Sequence, residues 1–174
     1  AQSDNRRLQI RVFSWLPGTA LALDKTPPGA SFATGKVLAE LGLALRDCPA
    51  KGAPTGLPWD LQHLQNLASL TSVLSITQGR QMAEQVLAHH ADTLGPALSE
   101  LPCQVIHNDL NPENILFYES GPPKVSGIID FGDLVAAPLV CDLAVACAYL
   151  VSPDEPDPFT RVKEAIAAYL RVQH

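Results

Sequence analysis

Two polar stretches, each next to an apolar segment, stand out in the chain. The first reads His107-Asn108-Asp109-Leu110-Asn111-Pro112-Glu113-Asn114 and lies between two apolar, strand-like pieces. The second follows another apolar piece and reads Ile128-Ile129-Asp130-Phe131-Gly132-Asp133. Loops held by a rigid scaffold often carry the chemistry of a protein. Together these stretches predict a functional site built from two loops.

The spacing of acidic and amide residues in the two stretches is typical of phosphoryl transfer from ATP. One carboxylate accepts the proton of the attacking hydroxyl group, and a second carboxylate with a neutral oxygen ligand holds Mg²⁺ against the phosphates. The pattern His-x-Asp-x-x-x-x-Asn followed by Asp-Phe-Gly supplies these groups in kinase order. The first element alone would occur by chance in about one chain in a hundred, so the prediction rests on both elements.

At these residues the chain resembles the aminoglycoside phosphotransferase/choline kinase family. That family has a kinase-like fold and carries His-Gly-Asp-Leu-His-Pro-Gly-Asn followed by Ile-Asp. The stretch 127–133, followed by Cys141-Asp142-Leu143-Ala144, is most similar to the hydroxylysine kinase-like branch, which is also found fused to aminotransferases. The resemblance covers about Arg6 to Arg171. It implies ATP-dependent phosphorylation of a hydroxyl on a small acceptor such as an amino alcohol, a hydroxylated amino acid or an aminoglycoside.

The resemblance also implies a role for each matching residue. Asp109 would be the catalytic base, and His107 would orient the loop around it. Asn114 and Asp130 would bind Mg²⁺. Asp133 would assist the metal or meet an ammonium group of the substrate.

Three positions of the first stretch depart from the family pattern: Asn108, Asn111 and Glu113 replace the usual Gly, His and Gly. Protein kinases use an Arg at the position of Asn108 to read a phosphorylated activation loop, and the segment after Asp133 is short. We therefore expect neither regulation by that route nor a protein substrate.

Several other side chains allow two interpretations each. Asp142 falls within a helical pattern, which favours a structural hydrogen bond over catalysis. Trp59, His63 and Tyr149 would line an acceptor pocket or simply pack. An acidic pocket would suit a cationic acceptor.

The N-terminal part resembles the last strand and the hinge of a kinase N-lobe. Alternating apolar residues predict a strand over Leu8–Phe13, and the hinge would follow at residues 14–18. Backbone groups of Ser14 and Leu16 would bind the adenine edge, whereas Phe13 would line the nucleotide pocket or belong to the core. This interpretation assigns residues 1–18 to the N-lobe strand and hinge, and residues 19–174 to a kinase-like C-lobe.

Hydrophobic periodicity predicts an α+β fold that is dominated by helices and contains a small β-ribbon carrying the two loops. Thr34 and Asp60 are predicted to cap helices. The predicted helices cover about 34–45, a segment after Asp60, 79–94, 139–151 and 159–171, and the predicted strands cover 105–106, 115–118 and 125–129.

Composition excludes several kinds of partner. The chain has 174 residues, a net charge of −6 and no cluster of basic residues, so nucleic acid and anionic membrane surfaces are not expected partners. The most apolar stretch, 134–151, is interrupted by Pro138 and Asp142, which favours a core helix over a membrane span. The four cysteines form no Cys-x-x-Cys pair, which favours a reducing cytoplasm. The sequence leaves the oligomeric state and the acceptor open.

Two parts of a kinase are missing from these residues. There is no Gly-x-Gly pair for a phosphate lid and no Val-Ala-Ile-Lys-like strand for the phosphate-holding Lys. We therefore expect an excised piece of a kinase that has low activity alone. The alternative is a catalytically inactive, kinase-like binding or scaffold module. A third interpretation is a metal-dependent hydrolase that uses His107, Asp109 and Asp130. The sequence lacks the second cluster of metal-binding histidines that this interpretation would need.

Overall fold

A computed structural model of the chain describes Ile10 and residues 12–21, 27–51 and 56–173. Short 3-10 segments and one π-helical turn, His90–Leu94, complete the regular structure. No helix in the described ranges is both long and apolar enough to cross a bilayer. The strands and α-helices are, in chain order, β1 (Thr19–Ala20), α1 (Ala30–Leu45), α2 (Thr77–His89), α3 (Gly95–Ser99), β2 (Cys103–Ile106), β3 (Ile115–Phe117), β4 (Val125–Ile128), β5 (Val135–Pro138), α4 (Leu139–Leu150) and α5 (Thr160–Gln173).

Helices α1 and α5 pack along each other and form one side of the main core. Small residues make this approach possible, because a Cβ atom on Gly35 would overlap the carbonyl oxygen of Ala165. Tyr169 of α5 is buried in the same cluster. The buried apolar members of this core are Ala30, Leu38, Ala39, Leu110, Ile115, Phe117, Ala146 and Tyr169.

Two small antiparallel sheets position the polar stretches. One sheet has the strand order β1-β3-β4, and the other pairs β2 with β5. Strand β2 ends immediately before His107, β3 begins immediately after Asn114, and β4 ends two residues before Asp130. Because β3 and β4 run antiparallel, the start of one lies beside the end of the other. The topology therefore brings the two polar stretches together.

Most elements in the second half agree with the periodicity. The predicted strands correspond to β2, β3 and β4, and the last two predicted helices correspond to α4 and α5. Asp60 caps a 3-10 helix, Leu61–Val73, by accepting a hydrogen bond from the N–H of Gln62 at 2.9 Å. Strand β5 was not predicted, because its four residues show no alternation of apolar and polar side chains.

The predicted helix boundaries are wrong in two places. Thr34 does not cap α1 but is buried inside it; the helix begins at Ala30, after Gly29 in the left-handed region with φ of 86°. The predicted 79–94 helix begins at Thr77, and helical structure continues beyond Leu94. The π-helical turn leads directly into α3, and Pro96 lies in the first turn of that helix.

The predicted strand over Leu8–Phe13 is not formed in its described part. Leu8, Gln9 and Arg11 lie outside the described residues, whereas Ile10, Val12 and Phe13 are exposed and unpaired. A strand needs a neighbour for its backbone hydrogen bonds, and within the described ranges β3 is already paired on both sides, by β1 and β4. Phe13 is 80% exposed, so the core role considered for it is wrong. The division at residue 18 stays a prediction.

The tight helix crossing yields a stability prediction. Gly35→Ala must push α5 away from α1, and we expect a loss of about 1–3 kcal/mol in the free energy of unfolding, as for other overpacked cores. Gly79→Ala in α2 is the matched control, since its Cβ would lie 3.9 Å from the nearest side-chain atom and alanine favours helix. Urea unfolding of both variants measures the difference. Equal stabilities would contradict the close packing of α1 on α5.

Candidate active site

A buried carboxylate holds the backbone at the start of the first polar stretch. Asp142 on α4 accepts the N–H of His107 at 3.2 Å and the N–H of Asn108 at 2.8 Å, one on each oxygen. Its side chain is buried. Burial raises the pKa of the Asp142 carboxyl above its ordinary value, and the two N–H donors oppose that rise. Asp142 thus has the structural role expected for it and fixes the entry to the loop.

The ring of His107 joins the two polar stretches. Its Nδ1 accepts the N–H of Asp109 at 3.3 Å, and its Nε2 lies 3.0 Å from the carbonyl oxygen of Ile129. These partners require the neutral tautomer with the proton on Nε2, which donates to Ile129. The ring also meets Phe131 edge-on, with centroids 4.9 Å apart. His107 therefore connects Asp109 to the Asp-Phe-Gly stretch, and its orienting role in catalysis stays a prediction.

The carboxylate of Asp109 is held by two amides and remains partly accessible. Asn111 Nδ2 lies 3.1 Å from both oxygens, and Asn114 Nδ2 lies 3.1 Å from Oδ2 and 2.8 Å from the Asp109 carbonyl oxygen. Asn111 is itself fixed, because its Oδ1 accepts the N–H of Glu113 at 2.8 Å. The departure from the family pattern at Asn111 thus supplies a donor that orients the predicted base.

Asn114 and Asp130 are neighbours across the two loops. The N–H of Ile129, next to Asp130, donates to the Asn114 carbonyl oxygen at 3.0 Å. Asp130 has φ of 61°, its Oδ1 lies 3.4 Å from the N–H of Gly132, and its side chain is exposed. The amide nitrogen of Asn114 points to Asp109, so its oxygen is left for another partner. One carboxylate and one amide oxygen are ligands that suit Mg²⁺, and the donor set fits that ion.

A cavity of about 440 Å³ opens beside Asp109. Trp59 and Tyr149 line it, as the pocket interpretation allowed, whereas His63 is exposed on the 3-10 helix and is not part of the lining. Asp133 contributes a second carboxylate. The lining residues are Trp59, Leu61, Asn108, Asp109, Asp133, Ala144, Val145, Ala148 and Tyr149.

Asn108 lines the cavity, a placement that the sequence did not reveal. Its φ of 66° lies in the left-handed region, which Asn tolerates better than most residues. The side chain is buried, yet neither Nδ2 nor Oδ1 has a hydrogen-bond partner among the described residues. Each such group costs about 1–3 kcal/mol when it is buried unpaired. The only sequence signal was the replacement of the family's usual Gly.

The three predicted nucleotide contacts lie in an irregular segment. Phe13 and Ser14 are exposed and are not among the residues that line the cavity beside Asp109. Leu16 packs on strand β4, where a Cβ on Gly127 would lie 2.8 Å from Leu16 Cδ1. The structure thus attaches this segment to the sheet that carries Asp130. The contacts to a nucleotide stay predictions.

Comparison with known proteins identifies the family. The sequence model described as "Phosphotransferase enzyme family" matches residues 2–173. The chain belongs to this family. The resemblance that the two polar stretches suggested is therefore confirmed.

Curated relatives share the family but are longer. Hydroxylysine kinase from Xenopus laevis is 27% identical over 157 residues, which cover 82% of this chain and 41% of the relative. An aminoglycoside 3'-phosphotransferase from Streptomyces fradiae is 31% identical over 147 residues, which cover 81% of this chain and 53% of the relative. The chain thus spans about half the length of these relatives.

The fold is also shared with solved structures. An aminoglycoside phosphotransferase from Streptomyces rimosus, solved with ADP and streptomycin, matches with a TM-score of 0.57 and 21% identity over 90% of this chain and 64% of that chain. This likeness confirms the α+β, kinase-like fold class.

The two backbone hydrogen bonds to the Asp142 carboxylate, which we call the carboxylate clamp, yield a prediction about stability. In Asp142→Asn, one of the two backbone N–H groups faces an amide NH₂ and loses its acceptor, so we expect a loss of about 1–3 kcal/mol in the free energy of unfolding. Asp154→Asn is the matched control, because Asp154 lies exposed on a loop. Thermal and urea unfolding provide the measurement. A variant as stable as Asp154→Asn would show that the clamp does not hold the loop.

Proposed function

We propose that the whole protein to which this chain belongs transfers the γ-phosphoryl group of ATP to a hydroxyl group of a small acceptor. The observation that carries this proposal is the placement of Asp109. Its carboxylate is oriented by two amides, lines a cavity large enough for a small molecule, and lies next to the oxygen donors of Asn114 and Asp130. Membership of the phosphotransferase family supports the same reaction.

Asp109 acts as the catalytic base in this proposal. As the acceptor oxygen attacks the γ-phosphorus, its proton passes to the Asp109 carboxylate; an O–P bond forms, and the bond between the γ-phosphorus and the bridging oxygen of ADP breaks. Positioning and charge neutralisation supply most of the rate enhancement in such transfers. Asn111 and Asn114 contribute to positioning, because their hydrogen bonds fix the orientation of Asp109.

Asn114 and Asp130 would hold Mg²⁺, which neutralises phosphate charge when bound. The hydrogen bond from Asn114 Nδ2 to Asp109 fixes the amide so that its oxygen faces away from the base. The same two loops therefore keep the proton acceptor and the oxygen ligands distinct, as the proposed roles require.

The nucleotide would bind along the irregular segment that precedes β1. The backbone groups of Ser14 and Leu16 would contact the adenine edge, and Phe13 would cover the base. The packing of Leu16 on β4 supports this placement, because β4 leads directly to Asp130. The solved relative that contains ADP supports a nucleotide as co-substrate. A cytoplasmic location, expected from cysteine usage, belongs to the same proposal.

Carboxylate variants test these roles in the whole protein. Asp109→Asn should lower kcat about 10²–10⁴-fold, the usual contribution of a general base, and leave Mg²⁺-ATP affinity nearly unchanged. Asp130→Asn should weaken Mg²⁺-ATP binding as well as lower kcat. Steady-state ADP release with hydroxylysine and kanamycin as acceptors, together with calorimetric titration of Mg²⁺-ATP, separates the two effects.

Asp154→Asn serves as the control and should behave as the unaltered protein. Activity of Asp109→Asn within a few-fold of that protein would remove Asp109 from the role of base. Tight Mg²⁺-ATP binding without ADP release for any acceptor would instead support the alternative of an inactive binding module.

A further inference from the structure

We propose that Asn108 determines acceptor specificity and that, together with Asp133, it binds an ammonium group of the acceptor beside the hydroxyl that is phosphorylated. This inference rests on the proposed phosphotransferase function. It concerns a side chain that the catalytic roles leave unused, because Asp142 binds only the backbone of Asn108.

The first observation is the unpaired carboxamide of Asn108. The residue is 2% exposed and lines the cavity next to Asp109, yet both polar atoms of its side chain lack partners among the described residues. Buried polar groups in folded proteins nearly always have a hydrogen-bond partner. The terminal torsion of Asn is soft, so the amide can turn toward a molecule in the cavity at little cost. A bound acceptor would supply the missing partner.

The second observation is the charge of the cavity. Asp109 and Asp133 both line it, and no Lys, Arg or His belongs to the lining within the described residues. Such a cavity repels an acceptor that presents a carboxylate or phosphate here and attracts a cation. The oxygen of the Asn108 amide and the Asp133 carboxylate both accept hydrogen bonds from an ammonium group.

The third observation is the aromatic wall. Trp59 and Tyr149 line the same cavity, and each is about half exposed at its surface. Aromatic faces attract cations through the charge distribution of the ring, most strongly for Trp. The cavity thus combines oxygens that accept hydrogen bonds with aromatic rings, and this combination suits a hydroxylated amine. A neutral polyol would leave the Asp133 carboxylate without a charged partner.

The backbone at position 108 offers an unusually clean variant. Because φ is 66°, glycine adopts this conformation without strain, and Asn108→Gly removes the carboxamide while the N–H bound by Asp142 remains. Asn66→Gly, which alters an exposed asparagine of the 3-10 helix, is the matched control. Asp133→Asn removes the other proposed partner and is paired with Asp154→Asn.

The experiment measures phosphoryl transfer from Mg²⁺-ATP by the whole protein to hydroxylysine and kanamycin as amines, and to glycerol as a neutral polyol. The unaltered protein should prefer an amine over glycerol by at least 100-fold in kcat/KM. Asn108→Gly should raise KM for that amine at least 10-fold, lower the preference for it over glycerol, and leave KM for ATP within twofold. Asp133→Asn should reduce the preference for the amine in the same way.

The outcomes separate this inference from the proposed function. If the amines are phosphorylated and Asn108→Gly keeps the original preference and KM, the role of Asn108 is overturned while the phosphotransferase function stands. If glycerol is as good an acceptor as the amines, the cationic acceptor is overturned. If the folded, Mg²⁺-ATP-binding protein phosphorylates none of the three compounds, the proposed function fails and this inference fails with it.

Discussion

The active-site architecture depends on one buried interaction, the pair of hydrogen bonds from the backbone of residues 107 and 108 to the Asp142 carboxylate. A carboxylate is costly to bury, and only donors on both oxygens make its place on α4 tolerable. Those donors are the first N–H groups of the stretch 107–114. The chain direction at this point is therefore set by a charge that cannot be left unpaired. The positions of the loop residues that follow His107 depend on these two hydrogen bonds.

Next to these hydrogen bonds, the ring of His107 connects the two loops. Its ring receives one hydrogen bond from the Asp109 backbone and gives one to Ile129, so a single imidazole connects Asp109 to the Asp-Phe-Gly stretch. The two antiparallel ladders, β2 with β5 and β3 with β4, supply the rigid ends between which these loops lie. The helices contribute indirectly, since α4 carries Asp142 and packs with α1 and α5. The same hydrogen bonds thus hold the two loops and connect them to the core of the fold.

The sequence predicted the parts of this arrangement that depend on local pattern. The spacing from His107 to Asn114, the acidic residue after β4, and the place of Asp142 on a helix all follow from motifs and periodicity. Strand β5 and the early start of α1 did not follow, because each is fixed by partners far away in the chain. Strand β5 exists through its pairing with β2, and α1 extends to Ala30 because that residue is buried in the main core.

The cavity was predicted only in part, through Trp59 and Tyr149, and the Asn108 amide without a partner among the described residues was not predicted. Both depend on Trp59, Tyr149 and Asp133 meeting around Asp109, and these residues belong to distant segments. A change from Gly to Asn in a motif shows only that a side chain has been added. Whether that side chain is solvated, paired or left facing a cavity is decided by tertiary packing.

Amide hydrogen exchange at His107 and Asn108 tests the central claim most directly. If the Asp142 carboxylate holds both N–H groups, they should exchange only through global unfolding, with protection equal to that of the core strand residue Val105. The amide of the exposed residue Asp154 should exchange close to the rate of an unstructured peptide. Exchange at His107 and Asn108 as fast as at Asp154 would contradict the account, because the loop 107–114 would then not be anchored by the buried carboxylate.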